Sequence, residues 1–140
     1  MVELGKYNLE VINHINIFET LTKSMVKDCF IDDKGRFVFI VNKEDIGKVI
    51  GKNASNLRRI QDLLKKRIKI VAFSDDIKDF IKSYVNPVEI EAIDINDNIV
   101  EIKANGANTK GLLIGRDRKN LETLKQVLKK YYGIIDVKVI

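Results

Sequence analysis

Residues 49–60 read VIGKNASNLRRI, and residues 113–124 read LIGRDRKNLETL. The two stretches lie at one fixed offset, because Gly51 and Gly115 are separated by 115 − 51 = 64 positions. At this offset, residues 48–66 and 112–130 share seven identities in 19 positions. A fixed offset that places turn on turn and helix on helix indicates an internal duplication, so each half of the 140-residue chain is predicted to fold as a similar small unit.

The order of elements in each half follows from apolar spacing and from turn residues. In the first half we predict a helix over residues 9–24, a hairpin of strands at 26–32 and 36–42, two short helices flanking Gly51, and a strand at 68–73. The first helix is predicted from apolar positions at helical spacing, which are Leu9, Ile12, Ile15, Phe18, Leu21 and Met25, and Ser55 is predicted to cap the helix after Gly51. The second half repeats this order with a helix ending near Tyr84, strands at 88–95 and 98–104, two helices flanking Gly115, and a last strand at 134–140. Each half therefore reads helix, strand, strand, helix, turn, helix, strand.

The composition restricts the class of protein. It is 45% hydrophobic and 32% charged, with one proline, which is typical of a folded chain with little linker. Cys29 is the single cysteine, so an intrachain disulfide is impossible, and because no Cys/His cluster has metal-ligand spacing we expect no metal and no other cofactor. His14 has no evident catalytic partner, so we expect that the protein is not an enzyme. Without a signal peptide or a bilayer-spanning apolar run, a cytoplasmic protein with no membrane partner is expected.

Positive charge is concentrated around the two repeated glycines. The formal net charge is +5, and residues 1–74 carry all of it, with 14 Lys and Arg against 9 Asp and Glu. Residues 47–70 hold eight basic residues and one acid, residues 110–130 hold seven basic residues and two acids, and residues 71–109 between them are acidic. Two separate basic blocks favour a polyanionic partner.

Each repeated glycine, with the residues after it, has the chemistry of a phosphate-binding loop. A glycine between two helices permits a sharp turn and a close approach by a ligand. The next helix directs its free N–H groups at the same place, and a basic side chain, Lys52 or Arg116, follows the glycine. A glycine between helices is also a common helix C-cap, so the loops gain weight from their repetition and from the local charge.

The loops and the surrounding pattern resemble the KH domain, whose G-x-x-G loop clamps about four nucleotides of single-stranded RNA. Ile50-Gly51 with Leu57 and Ile60 match the pattern I-G-x-x-G-x-x-[IL]-x-x-[IL] in the first half, and the second half matches it with Ile114-Gly115, Leu121 and Leu124. Both loops lack the last glycine, which is replaced by Ala54 and by Arg118. Asp117 places a negative charge where a phosphate would approach, so whether the second loop binds RNA is left open.

The element order resembles the type II KH form, and two such units without a linker resemble the archaeal NusA-like transcription termination and antitermination factors. The fold class that this implies is α/β (α+β), with two tandem type II KH domains at 1–74 and 75–140. Each would have a three-stranded mixed sheet covered by helices, and the two would pack tightly together. The resemblance implies single-stranded RNA as partner, and possible partners also include RNA polymerase or the ribosome. The predicted RNA-binding residues are Ile50, Gly51, Lys52, Asn53, Ala54, Ser55, Asn56, Arg58 and Arg59 in the first half, and Gly115, Arg116, Asp117, Arg118, Lys119 and Asn120 in the second.

Three interpretations stay open at this point. The first is an RNA-binding regulator of transcription elongation or termination, which rests on the family resemblance. The second is a ribosome-associated KH protein. The third is a protein-interaction module docking on RNA polymerase, which the missing fourth glycine of both loops motivates. Asn56 and Asn120 are equally compatible with a bond to nearby backbone and with a contact to RNA.

Overall fold

A computed structural model describes residues 7–140. The contacts divide the chain into two compact units on either side of the bond between Asp75 and Asp76. The first unit contains α1 (Leu9–Thr22), β1 (Val26–Ile31), β2 (Phe37–Asn42), α2 (Ile46–Ile50), α3 (Ser55–Leu64) and β3 (Ile68–Phe73). The second contains α4 (Ile77–Val85), β4 (Ile90–Asn96), β5 (Ile99–Ala104), α5 (Ala107–Ile114), α6 (Lys119–Tyr132) and β6 (Asp136–Val139). The predicted element order is confirmed in both units.

Each unit has one three-stranded mixed sheet, with the orders β1-β2-β3 and β4-β5-β6. The hairpin strands pair antiparallel, and the last strand pairs parallel with the middle one. The first strand of each hairpin has a register shift at the same place, between Val26 and Asp28 and between Ile90 and Ala92. These positions are 64 residues apart, so the duplication extends to an irregularity of the backbone.

The core of the first unit lies between its helices and one face of its sheet. β2 is buried along most of its length, from Phe37 to Val41, and Phe18 of α1 stacks on Phe39 with ring centroids 4.2 Å apart. Val49 of α2 and Ile60 of α3 complete this cluster without exposed surface. Burying a side chain of this size contributes about 1.5–3 kcal/mol, and Leu64 belongs to the same cluster, so α2 is fixed on the sheet by Val49 and α3 by Ile60 and Leu64.

The predicted first helix is present, but only some of the apolar positions that predicted it are buried. Phe18 is buried and Ile15 and Leu21 pack against the core, but Leu9 is 73% exposed and Ile12 42% exposed. The helix also ends at Thr22, because Lys23 takes a left-handed conformation and its N–H bonds the Glu19 carbonyl; Met25, beyond that point, is 76% exposed. Apolar side chains lie on more than one side of this helix, so spacing alone selects too wide a face.

The two hairpins differ in how they turn. In the second unit Asp97 and Asn98 both have positive φ, 52° and 62°, and they form a two-residue turn between Asn96 and Ile99, which pair with each other. In the first unit the turn spans Asp32 to Arg36, and Ile31 pairs with Phe37. The fixed offset therefore aligns the two turns in the sequence, but the strand pairing differs by one residue. Ile31 pairs with Phe37 in the first unit, whereas Ile95, at the position of Ile31, pairs with Val100 and not with Glu101, which is at the position of Phe37.

Two side chains that the sequence singles out, His14 and Cys29, lie in or beside the core. The His14 ring stacks on Phe37 with ring centroids 4.4 Å apart, and its Nδ1 lies 2.8 Å from the Glu10 carbonyl, which is a packing role. Cys29 is buried, and burial, followed by the charge of Asp28, raises the pKa of its thiol to about 12. Because the thiolate is the reactive form, this pKa makes the thiol inert near neutral pH.

Two absences can be stated for the described part of the chain. Within residues 7–140, none of the helices combines the length and the apolarity that crossing a bilayer requires. Over the same range, the Asp, Glu, His and Cys side chains form no group of three or more that could hold a metal ion.

Candidate nucleic-acid interface

The two predicted loops have nearly the same backbone conformation. Gly51 and Gly115 both have φ 76° and ψ 173°, a combination that is essentially restricted to glycine. Asn53 and Asp117 follow with φ 55° each, and Ala54 and Arg118 follow them with φ 59° and 61°. The two loops thus make the same turn although they share only the first glycine.

The fourth loop position is left-handed in both units, which accounts for a glycine there in the G-x-x-G pattern. Ala54 and Arg118 adopt that conformation despite their Cβ atoms, and each donates its backbone N–H to the carbonyl of the loop glycine at 3.2 Å. The replacement of the glycine therefore changes the strain of the loop and leaves its path unchanged. The motivation for a pure protein-docking module, a loop deformed by the missing glycine, is weakened accordingly.

We expect Ala54→Gly to stabilise the first unit by about 1 kcal/mol, because the left-handed conformation costs a residue with a Cβ about that much free energy. The matched control is Ser55→Gly, one residue later at φ −64°, where glycine should instead lower stability by about 0.5 kcal/mol. The shift of the urea unfolding midpoint measures both. A loss of stability in Ala54→Gly would contradict the left-handed assignment of this position.

The helix after each loop begins without a side-chain cap. Ser55, predicted to be the N-cap of α3, is wrong in that role: it is already helical, and the cap position belongs to Ala54. The reason is the tight turn, which brings the chain into helical geometry one residue earlier than the cap pattern predicts. The Ser55 N–H bonds the Lys52 carbonyl, and because no side chain caps α3, its N-terminal end keeps the partial positive charge that attracts anions.

Asn56 and Asn120 tie each loop to the helix before it. The Asn56 side-chain amide donates to the Lys48 carbonyl at 2.9 Å, and that of Asn120 donates to the Leu112 carbonyl at 3.1 Å. A Cβ built on Gly51 would lie 2.9 Å from Asn56 Cγ, and one built on Gly115 would lie 2.8 Å from Asn120 Cγ. Of the two roles weighed for these asparagines, the bond to backbone is therefore present, and a contact with RNA stays a prediction.

The other predicted site residues divide by exposure. Those whose side chains are exposed around the loops are Lys52, Asn53, Ser55, Arg58 and Arg59 in the first unit and Arg116, Asp117, Arg118 and Lys119 in the second. Those half-buried are Ile50, Gly51, Ala54 and Asn56, with Gly115 and Asn120. Ile50 and Leu57, the apolar pattern positions on either side of the first loop, are each partly buried.

The charges at the two loops are not equivalent. Residues 51–59 contain Lys52, Arg58 and Arg59 and no acid, and the Arg58 guanidinium donates to the Asn53 carbonyl, so it stays beside the loop. In the second loop the Arg118 Nε lies 3.8 Å from the Glu122 Oε1. Glu122 stands at the position that corresponds to Arg58 at the 64-residue offset. The first loop is therefore uniformly positive, whereas the second is mixed.

Sequence reasoning missed Lys48 as a residue of the loop's surroundings. Its Nζ donates to the Lys23 carbonyl at 3.1 Å and lies 3.7 Å from Asp45, so it joins the end of α1 to α2. At the 64-residue offset Lys48 corresponds to Leu112, which is 57% exposed. This replacement of a charged residue by an apolar one is the sequence difference that could have indicated a special role for Lys48.

Comparison with known proteins agrees with this geometry. A family model described as KH domain matches residues 13–105. The chain is 32% identical over 139 residues to a protein named "Probable transcription termination protein NusA" from Methanococcus vannielii, covering 96% of this chain and 79% of that protein. A protein of the same name from Methanocaldococcus jannaschii is 30% identical, with 94% and 73% covered. The crystal structure of APE1850 has a TM-score of 0.68 at 27% identity and covers 96% of this chain and all of that one. The chain belongs to the KH-domain family and, within it, to the group of archaeal NusA-like proteins.

Proposed function

We propose that the protein binds single-stranded RNA through its KH loops, with the first loop as the main contact, and that it regulates transcription termination or antitermination. The observation that carries the proposal is the first loop. It combines a glycine in a glycine-only conformation, an uncapped helix end and three exposed basic side chains without an acid among them. These are the features that a sugar-phosphate backbone requires at close range.

Phosphate contacts at this loop divide between backbone and side chains. Gly51 makes the tight turn possible, because a Cβ there would meet Ser55 and Asn56, and the turn places the N-terminal end of α3 and its N–H groups at the loop. Lys52 supplies a charge next to the glycine, and Arg58 and Arg59 extend the charge along the first turn of α3. Such contacts fix a strand in place without reading its sequence.

The second loop is proposed to contribute less to binding. Its backbone is the same, so it can accept a strand in the same geometry. Asp117 and Glu122 offset two of the three positive charges on Arg116, Arg118 and Lys119, which leaves a net charge of one. Because electrostatic attraction supplies most of the affinity for a nucleic-acid backbone, the first loop should dominate.

The direct test of RNA binding is fluorescence anisotropy with a pool of labelled single-stranded RNAs at two salt concentrations. We expect the logarithm of the association constant to fall linearly with the logarithm of the salt concentration, with a slope of about −0.7 for each phosphate contacted. Labelled duplex RNA of the same length is the control, since a KH loop takes unpaired nucleotides. No binding to single strands at low salt would reject the proposal.

The proposed role in transcription is supported by the name that the archaeal relatives carry, and it needs a separate test. Multi-subunit RNA polymerase transcribing a template with a terminator, with and without the protein, should show a changed fraction of terminated transcripts. RNA polymerase is the partner proposed here, and pull-down from nuclease-treated lysate tests a contact that needs no RNA. Sedimentation with ribosomal subunits through a salt wash would instead favour the ribosome-associated interpretation.

A further inference from the structure

A second group of basic side chains lies at the opposite end of α3 from the first loop. We call it the hairpin-end cluster; its members are Lys34, Arg36, Lys65, Arg67 and Lys69. Lys34 and Arg36 lie in the β1–β2 turn, Lys65 and Arg67 follow α3, and Lys69 is on β3. The ten residues of α3 span about 15 Å, so the cluster and the loop are well separated.

Hydrogen bonds bring the members of this cluster together. The Phe37 N–H donates to the Arg67 carbonyl at 2.9 Å, which joins the start of β2 to the start of β3. The Arg67 guanidinium in turn donates to the Lys34 carbonyl, across the turn. Lys69 pairs with Val38 in the parallel register, one residue into the same two strands.

The acids of the turn do not neutralise the cluster. Asp32 accepts from the N–H groups of Lys34 and Arg36, both at 2.9 Å, and from the Arg36 Nε at 2.7 Å, so it is committed to the turn and to one guanidinium. Asp33 is exposed beside it. The five cluster residues and these two acids carry a net charge of +3; Asp62 in the last turn of α3 reduces this to +2, and Lys66 is offset by Glu10 at 4.0 Å.

The repulsion within the cluster is visible in the pKa of Lys69. The pKa of Lys69 is lowered to about 8, chiefly by burial and then by the charges of Arg36 and Lys34, whereas the charge of Asp32 raises it. Like charges held this close cost stability, so the turn bonds of Arg36 and Arg67 do not by themselves account for the whole cluster.

The second unit lacks most of these cations. At the 64-residue offset it has Asn98, Val100, Lys129, Tyr131 and Gly133 in their place, so four of the five charges are absent. It builds the same order of elements with a shorter hairpin turn, so Arg36 and Arg67 are explained in part by the bonds that hold the longer turn of the first unit. The exposed side chains of Lys34 and Lys65 take no part in those turn bonds, and their charges are therefore the ones available to a ligand.

We propose that the hairpin-end cluster is a second contact for the phosphate backbone of RNA, which a strand held at the first loop reaches by running along the first unit. This rests on the RNA binding proposed above and adds where the strand goes beyond the loop. A KH loop clamps about four nucleotides, so the second contact needs a longer strand. The ligand is a polyanion with spaced phosphates, and the contact is not sequence-specific.

The test compares two RNA lengths, about six nucleotides and about 20, with wild type and Lys34→Gln/Lys65→Gln. Both side chains are exposed, and the substitutions leave the Asp32–Arg36 pair and the Arg67 bonds of the turn in place. We expect about tenfold weaker binding of the long RNA at 0.1 M salt and a salt slope reduced by about 1.4, with binding of the short RNA unchanged. Lys78→Gln/Lys82→Gln, which removes two exposed charges from α4, is the matched control and should change neither.

Two results overturn the proposal. One is equal binding of the long RNA by wild type and by Lys34→Gln/Lys65→Gln. The other is an equal loss for both RNA lengths, which would mean that the substitutions act on the loop or on the fold. Failure of the wild type to bind either RNA would instead reject RNA binding as such, so the two failures are distinguishable.

Discussion

Replacing Lys52 and Asn53 by aspartate should weaken binding of single-stranded RNA on the order of a hundredfold and leave the fold intact. Each hydrogen bond to a charged group contributes about 1.5–3 kcal/mol, and two new carboxylates would also repel the phosphates. Both side chains are exposed. Asp117 already occupies the position of Asn53 in the second loop at the same φ of 55°, so aspartate fits this backbone.

The measurement is the anisotropy titration, with circular dichroism to confirm the fold. Lys78→Asp/Asn108→Asp makes the same change of net charge at exposed first-turn positions of α4 and α5, where aspartate is favoured by the helix dipole, and should bind almost as wild type. Arg116→Asp/Lys119→Asp in the second loop should cost about tenfold or less, because this loop already carries acids. A smaller loss in the first loop than in the second would reverse the proposed order of the two units.

The sequence predicts the architecture well because each element occurs twice, so the pattern in one half can be checked against the other half. Gly51 and Gly115 fix the offset, and the apolar positions around Ile60 and Leu124, both buried, agree between the halves. What sequence reasoning could not predict is local. The spacing of Leu9 and Ile12 fits a helix but does not say which side packs on the sheet, and the structure leaves both exposed.

The conformation of the two loops could not be predicted from the sequence for a different reason. Left-handed residues are normally inferred from glycine or asparagine, and neither Ala54 nor Arg118 gives that signal. Their conformation is imposed by the chain on both sides: the loop glycine accepts the N–H of the fourth residue, and the following helix is anchored in the core by Ile60 or Leu124. Tertiary packing therefore overrides the local preference, and the same packing makes Ser55 helical where the pattern predicts a cap.

Gly51→Ala should lower the stability of the first unit by about 3 kcal/mol, because it combines backbone strain with a steric clash. At φ 76° and ψ 173° a residue with a Cβ is strained by about 1–3 kcal/mol. The new Cβ would also lie 3.0 Å from the backbone nitrogen of Asn56, an atom of the α3 backbone that cannot rotate away. Relief therefore requires moving α3, which Ile60 holds in the core.

Gly47→Ala is the matched control for Gly51→Ala, since it makes the same chemical change one helical turn earlier. A Cβ at Gly47 meets nothing within 4 Å, and the position is helical, so alanine should raise stability by about 0.5–1 kcal/mol. Opposite shifts of the urea unfolding midpoint in the two variants are the expected result. Equal stability of Gly51→Ala and wild type would mean that the first loop does not hold its glycine in the left-handed region, and the tight turn on which the proposed phosphate contact depends would lose its support.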